Sequence, residues 1–340
     1  MSVWKRLGAE EQGRVLMQIA RTALALWPLE VVDLKPIKVR ENAVYAVHLR
    51  DGRRLALRVH RFGYHSNAAL SSELSWCEAL AAQGIEVPTV VPSRAGRTFE
   101  CIDCEELGEA RQVDVFEWID GEQLGSAVAG VSGDDAAIFR CYRTIGQLAA
   151  RMHNQAANWS LPSGFTRHAW DSDGLVGEQP RWGRFWELDS LSREQRRLLL
   201  DVRAAVNEGL RDFGQSADRY GLIHADLVPE NVMVGADGVR IIDFDDAGFG
   251  WHLFEIATTL YFIRGEPYFG CARDAVVAGY REHRALSDDH LRRLPLFMAA
   301  RATTYLGWVH TRKGEPAATE LTPALMDMAM SAGREFLNIS

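Results

Sequence analysis

The sequence predicts an α+β protein of two lobes, a small antiparallel-sheet N-lobe over residues 1–118 and a larger, mainly helical C-lobe over residues 119–340. Three observations carry this. Short alternating apolar runs joined by Asp51-Gly52 fill the first third of the chain. Apolar stripes at helical spacing dominate the remainder, and a lone hairpin pattern is set among them at 231–243. With 340 residues and 47% hydrophobic content, the chain can bury one large core or two lobes.

In chain order, Val15, Ile19, Thr22, Ala23 and Leu26 share one face of an opening helix. Strands are predicted over 37–39, 43–49 and 54–59, the last two closed by the Asp51-Gly52 turn. A helix over 69–83 carries Glu73 in its first turns. Cys101 and Cys104 have the spacing of half a zinc site or a redox pair, but no second such pair follows, and Ile102-Asp103 continues a strand, which is how we read the segment. Residues 113–119 alternate as a strand that Asp120-Gly121 ends.

Past that point Ile138, Tyr142, Ile145, Ala149, Met152 and His153 align on one helix face, so His153 reads as a core or cap residue. The segment 180–186 concentrates Trp182, Trp186 and two arginines; its rings either pack a loop onto the lobe or offer π faces to a cation. A helix over 291–312 places Arg301 inside the stripe of Leu294, Met298, Ala302, Tyr305, Leu306 and Val309. A buried arginine must be paired, either with a structural carboxylate or with an anionic group of a substrate.

The chemistry concentrates in residues 221–250. Two apolar runs, 231–234 and 239–242, flank the turn 235–238 and read as a hairpin, which returns its ends to one place. Asn231 at one end and Asp243 at the other are thereby brought together, with Asp226 one loop away. Asn and Asp oxygens suit Mg2+ on ATP, and Asp226 is placed to accept a hydroxyl proton, the spacing of a phosphoryl-transfer site. His224 is expected to brace the loop by hydrogen bonding. Asp245 and Asp246 either orient a substrate or cap and hydrate the turn.

HADLVPEN at 224–231 followed by IDFDD at 242–246 resembles the catalytic and metal-binding segments of the aminoglycoside phosphotransferase and choline kinase superfamily, whose fold is protein-kinase-like. Val228 replaces the Lys that protein kinases carry in this loop, which favours a small-molecule acceptor. Glu41-Asn42-x-Val44-Tyr45 and Arg301-x3-Tyr305-Leu306-x-Trp308 resemble homoserine kinase type II and stress-response kinase A, so the likeness spans most of the chain. The resemblance implies a bilobal fold in which Arg58, held by Glu73, binds the α and β phosphates; Arg stands here where most members have Lys. With no glycine-rich loop in the sequence, it gives the phosphate cover to residues 40–43 through backbone NH groups and the Asn42 amide. It puts Glu117 and Ile119 beside the adenine, while Trp118 reads as a packing residue. Glu255 stands where the family commonly has an Asp that braces the catalytic loop.

Composition excludes more than it selects. A formal net charge of −8 opposes non-specific nucleic-acid binding. Five cysteines without regular spacing point to a reducing cytoplasm, and no apolar run approaches the length of a membrane span. The expected activity is transfer of the ATP γ-phosphoryl group to a small-molecule hydroxyl, with ATP and Mg2+ as cofactors. A Ser/Thr protein kinase and a nucleotide-binding pseudokinase are the alternatives.

Overall fold

The computed structural model describes residues 4–39, 42–126, 130–131, 133–236 and 238–339. They form two compact units, Met1–Asp120 with Leu161–Thr166, and Gly121–Ser160 with Arg167–Ser340. An antiparallel sheet dominates the first unit and helices the second, the α+β, protein-kinase-like class that the sequence predicts.

In the first unit, α1 (Ala9–Leu24) precedes a five-stranded sheet of β1 (Val31–Val39), β2 (Ala43–Leu49), β3 (Arg54–Val59), β4 (Phe99–Cys104) and β5 (Glu109–Glu117), ordered β1-β2-β3-β5-β4. Glu11 reaches back to the Gly8 amide at 3.0 Å and satisfies one of the donors that a helix start leaves open. Val15, Ile19 and Ala23 of α1 and Tyr45, Val47, Leu55, Leu57, Val113 and Val115 of the sheet form one buried cluster. Each large aliphatic side chain so buried contributes about 1.5–3 kcal/mol. Leu26, expected on the inward stripe, lies beyond the helix and is 38% exposed, because the chain turns after Leu24 and Trp27 takes the buried position, its Nε1 donating to the Val91 carbonyl. The predicted strand at 37–39 begins earlier, at Val31. Between β3 and β4, α2 (Asn67–Ala82) starts at Ser66, whose Oγ accepts from the Ala69 amide. The segment Leu161–Thr166 is tied to α2 by Thr166 N donating to Ser72 Oγ at 2.8 Å.

In the second unit the short strands β6 (Glu122–Gln123), β7 (Gly125–Ser126) and β8 (Gly130–Val131) lead into α3 (Asp135–Asn158), capped by Asp134 on the Ala137 amide. There follow β9 (Ala169–Trp170), α4 (Ser172–Val176) and α5 (Arg193–Phe213). Strands β10 (Tyr220–Ile223), β11 (Val232–Gly235), β12 (Gly238–Ile241) and β13 (Gly248–Trp251) carry the segment of interest, and α6 (His252–Tyr261), α7 (Phe269–Arg281), α8 (Asp288–Leu291), α9 (Leu294–Thr311) and α10 (Pro316–Ile339) complete the unit. The helix expected over 291–312 is α9, which starts three residues later, after α8 ends at Leu291, with Pro295 in its first turn, where its missing N–H costs nothing. Helix α9 is buried on nearly every side and packs against α5, α6 and α10, so it is the central helix of this unit.

Candidate phosphoryl-transfer site

The hairpin expected at 231–243 is present. Strands β11 and β12 pair antiparallel with Val232 opposite Ile241 and Gly235 opposite Gly238, and the predicted turn residue Asp237 lies outside the described residues. Ile242 N donates to Asn231 O at 2.9 Å, so the chain entering Asp243 is tied directly to Asn231. A 3-10 turn over Pro229–Asn231 then brings Asn231 back onto the loop, where its Nδ2 donates to Asp226 O at 2.8 Å and Asp226 Oδ2 at 2.9 Å. With Nδ2 so engaged, the amide oxygen of Asn231 is directed away from Asp226. An amide oxygen there and a carboxylate at Asp243, the residue after Ile242, are donor types that suit Mg2+.

Two residues of this segment other than glycine have left-handed backbones, Ala225 at φ +65° and Asp243 at φ +66°. Such conformations cost on the order of 1–3 kcal/mol each and persist only where their surroundings fix them. Around Ala225 the fixing groups are explicit. Glu255, fully buried on α6, accepts from His224 N at 2.7 Å and from Ala225 N at 2.8 Å. The longer acidic side chain thus makes the bracing contact to the loop. His224 donates or accepts at both ring nitrogens, Nε2 with Ile242 O and Nδ1 with Asp226 N, and so links the loop to the end of the hairpin as expected.

Arg301 is paired, and its carboxylate partner is Asp226. Its Nη2 lies 2.6 Å from Asp226 Oδ1 and 2.7 Å from the Tyr305 hydroxyl, and Nη1 donates to Ala225 O at 3.1 Å. Burial pushes the Asp226 carboxyl up to about 7; Arg301 opposes that rise, and the Asp246 and Asp243 carboxylates add to it. Burial likewise raises Glu255 and lowers His224. Asp245 is buried and Asp246 half-buried. The loop that carries them is held by Arg167, whose Nη2 donates to Asp245 O and Nε to Ala247 O. Arg167 has no signal in the sequence: it lies in the irregular stretch before β9, about 80 residues from its acceptors.

In the first unit Arg58 and Glu73 meet as expected, with Nη2 at 2.8 Å from Glu73 Oε1. The structure adds a second carboxylate. Arg58 also binds Asp114 through Nη2 at 2.7 Å and Nε at 3.1 Å, and His60 Nε2 lies 2.9 Å from Asp114 Oδ2. Asp114 sits directly opposite Arg58 in the β3–β5 ladder. Although burial disfavours its charge, Arg58 and His60 prevail and hold the Asp114 carboxyl below its ordinary value. In the sequence each of the two charges is flanked by apolar residues, Leu57 and Val59 around Arg58 and Val113 and Val115 around Asp114.

Asn42 is buried and its Oδ1 accepts from Arg61 N at 3.0 Å, a loop-fixing contact; Arg40 and Glu41 lie outside the described residues. Glu117 is exposed at the end of β5, Ile119 half-buried beyond it, and Trp118 packs under Arg54. Trp182 and Trp186 are buried packing residues. Trp182 meets Trp170 edge-on at 5.3 Å, and Trp186 lies under Arg203. His153 is buried with Nδ1 on the Tyr280 hydroxyl at 2.8 Å. Cys101 and Cys104 are free thiols on β4. No helix among the described residues is long and apolar enough to cross a membrane.

A family model described as "Phosphotransferase enzyme family" matches residues 33–295 of this chain. The solved structure of a microcompartment-associated aminopropanol kinase is 30% identical, superposes with a TM-score of 0.84 and covers 95% of this chain and 98% of its own. The amicoumacin kinase hAmiN, solved with AMP-PNP, Ca2+ and Ami, superposes with a TM-score of 0.76 at 20% identity, covering 95% of this chain and 96% of its own. A homoserine kinase of Methylobacillus glycogenes is 30% identical over 218 residues, 63% of this chain and 58% of that protein.

Proposed function

The chain belongs to the phosphotransferase enzyme family, and on that premise we propose that it transfers the γ-phosphoryl group of ATP to a hydroxyl of a small molecule. The observation that carries this reading is the loop geometry. Asp226 is gripped at both carboxylate oxygens, one by Arg301 and one by Asn231, and Asn231 is tied by its backbone to the residue before Asp243. In the proposed reaction Asp226 aligns the acceptor hydroxyl and receives its proton. Each carboxylate oxygen has two lone-pair sites, so the two grips leave room for that hydrogen bond. Asn231 and Asp243 would hold Mg2+, which when bound neutralises phosphate charge. Arg58, fixed by Glu73 and Asp114, is assigned to the α and β phosphates. Asn42, Glu117 and Ile119 are assigned to the nucleotide on the strength of the family pattern. Positioning and charge compensation supply most of the rate enhancement in such a loose transition state.

An amino alcohol is the favoured acceptor class. The aminopropanol and homoserine kinases to which the chain is similar support this choice. Phosphorus NMR of the purified protein with Mg-ATP and aminopropanol, homoserine, choline and an aminoglycoside tests it. A new phosphate-ester resonance with one acceptor, together with ADP, is the expected result. Labelling of protein in a lysate with no labelled metabolite would instead support a protein kinase.

A further inference from the structure

We propose that Arg301, held by Tyr305, is the positioning residue that aims Asp226 and locks the strained peptide before it. The inference rests on the phosphotransfer reading for its kinetic consequence but on geometry alone for the device. Arg301 and Tyr305 are four residues apart on α9, so their side chains share one face of the helix. The guanidinium is fully buried, and π faces surround it: its central carbon lies 4.4 Å from the Tyr305 ring centroid, 4.9 Å from Trp182 and 5.6 Å from Phe254. A permanently charged, planar group held in an aromatic box has little freedom to follow the loop, so the loop is set by it.

The two forks of the guanidinium do different things. Nη2 takes Asp226 Oδ1 and the Tyr305 hydroxyl, which fixes the carboxylate's rotation about its side chain. Nη1 takes Ala225 O. On its other side the Ala225 residue is held at N by Glu255, so its left-handed conformation is clamped between α6 and α9. A lysine could reach one of these acceptors but not all three in a plane. Tyr305 contributes by orienting Arg301 and does not itself contact Asp226 among the hydrogen bonds described.

The experiment compares Arg301→Met, Arg301→Lys and Tyr305→Phe with the wild type in two arms. In the kinetic arm, aminopropanol and homoserine serve as acceptors. Arg301→Met is expected to lower kcat on the order of 100-fold, with KM for ATP within about 2-fold. Arg301→Lys is expected to recover part of that loss, and Tyr305→Phe to lose on the order of 10-fold or less. In the structural arm, crystal structures of Arg301→Met and Tyr305→Phe are solved. Asp226 rotated away from its place, with Ala225 relaxed out of positive φ in Arg301→Met, is the expected result. Should Arg301→Met fail to fold, Tyr305→Phe keeps the packing and decides by a smaller displacement of Asp226. Wild-type kcat in Arg301→Met, a parallel loss of ATP affinity in every variant, or an unmoved Asp226 would overturn the proposal. If the wild type phosphorylates neither acceptor, the choice of acceptor fails on its own, while the structural arm still decides the role of Arg301.

Discussion

At the residue scale the two charged clusters follow one rule: a buried charge is kept only where its partners are fixed. Arg58 is nearly inaccessible and its carboxylates Glu73 and Asp114 are more so, at side-chain exposures of 8%, 1% and 0%. Because Asp114 faces Arg58 across the ladder, it carries the orientation of the cation as much as Glu73 does. Asp114→Asn should therefore destabilise the protein by about 3 kcal/mol, as expected for breaking a buried pair by removing one charge. Urea unfolding would measure it, and a loss below about 1 kcal/mol would show that Glu73 alone suffices. The pairing of Arg58 with Glu73 was legible from the sequence because family position supplied it. The pairing with Asp114 was not, since cross-strand register is invisible until the sheet is assembled.

At the scale of elements, the hairpin was the most legible feature, because two short apolar runs around a glycine-bounded turn specify it locally. The helices that support it were legible only as stripes. Their mutual approach was not, and it depends on two glycines. A Cβ on Gly146 of α3 would meet Val276 O at 2.0 Å, and one on Gly279 of α7 would meet Arg143 O at 1.9 Å. The backbones of α3 and α7 are thus in direct contact, and the approach lets His153 of α3 reach the Tyr280 hydroxyl of α7. Gly146→Ala should cost about 1–3 kcal/mol through overpacking, even though alanine is the better helix former. A melting temperature equal to or above that of the wild type would contradict this account of the interface.

For the whole molecule, the long-range contacts that the sequence could not show also set its response to acid. Burial lowers His153 to about 3, and it faces His252 stacked at 4.3 Å, the Tyr280 hydroxyl, Glu255 at 3.6 Å and the charge of Arg284. A histidine whose folded pKa lies below the unfolded value binds protons preferentially in the unfolded chain, so its contribution to stability is lost as pH falls from about 6.5 towards 3. By pH 5 that loss is about 2 kcal/mol for His153 alone. Asp226 and Glu255, raised by burial, act in the opposite sense, since the folded protein keeps their protons where the unfolded chain has lost them. The difference between wild type and His153→Gln isolates the histidine. Urea titrations at pH 7, 6 and 5 should show the wild type losing about 2 kcal/mol more than the variant, and parallel curves would exclude the assignment.

Separation along the chain divides the legible part of the site from the rest. Asp226, Asn231 and Asp243 lie within 18 positions of one another, and local spacing named them. Arg301, which grips Asp226, is 75 residues further on, and Arg167, which holds the Asp245 loop, precedes it by 78. No periodicity links such residues; only the packing of α9 and the path of the segment before β9 bring them in.

In the proposed reaction Asp226 is the group that faces the acceptor. Asp226→Asn, nearly isosteric and still able to accept one hydrogen bond, should lower kcat by at least about 100-fold while ATP affinity, measured by calorimetry, stays within about 3-fold of the wild type. Turnover at the wild-type rate on the acceptor identified by phosphorus NMR would contradict it.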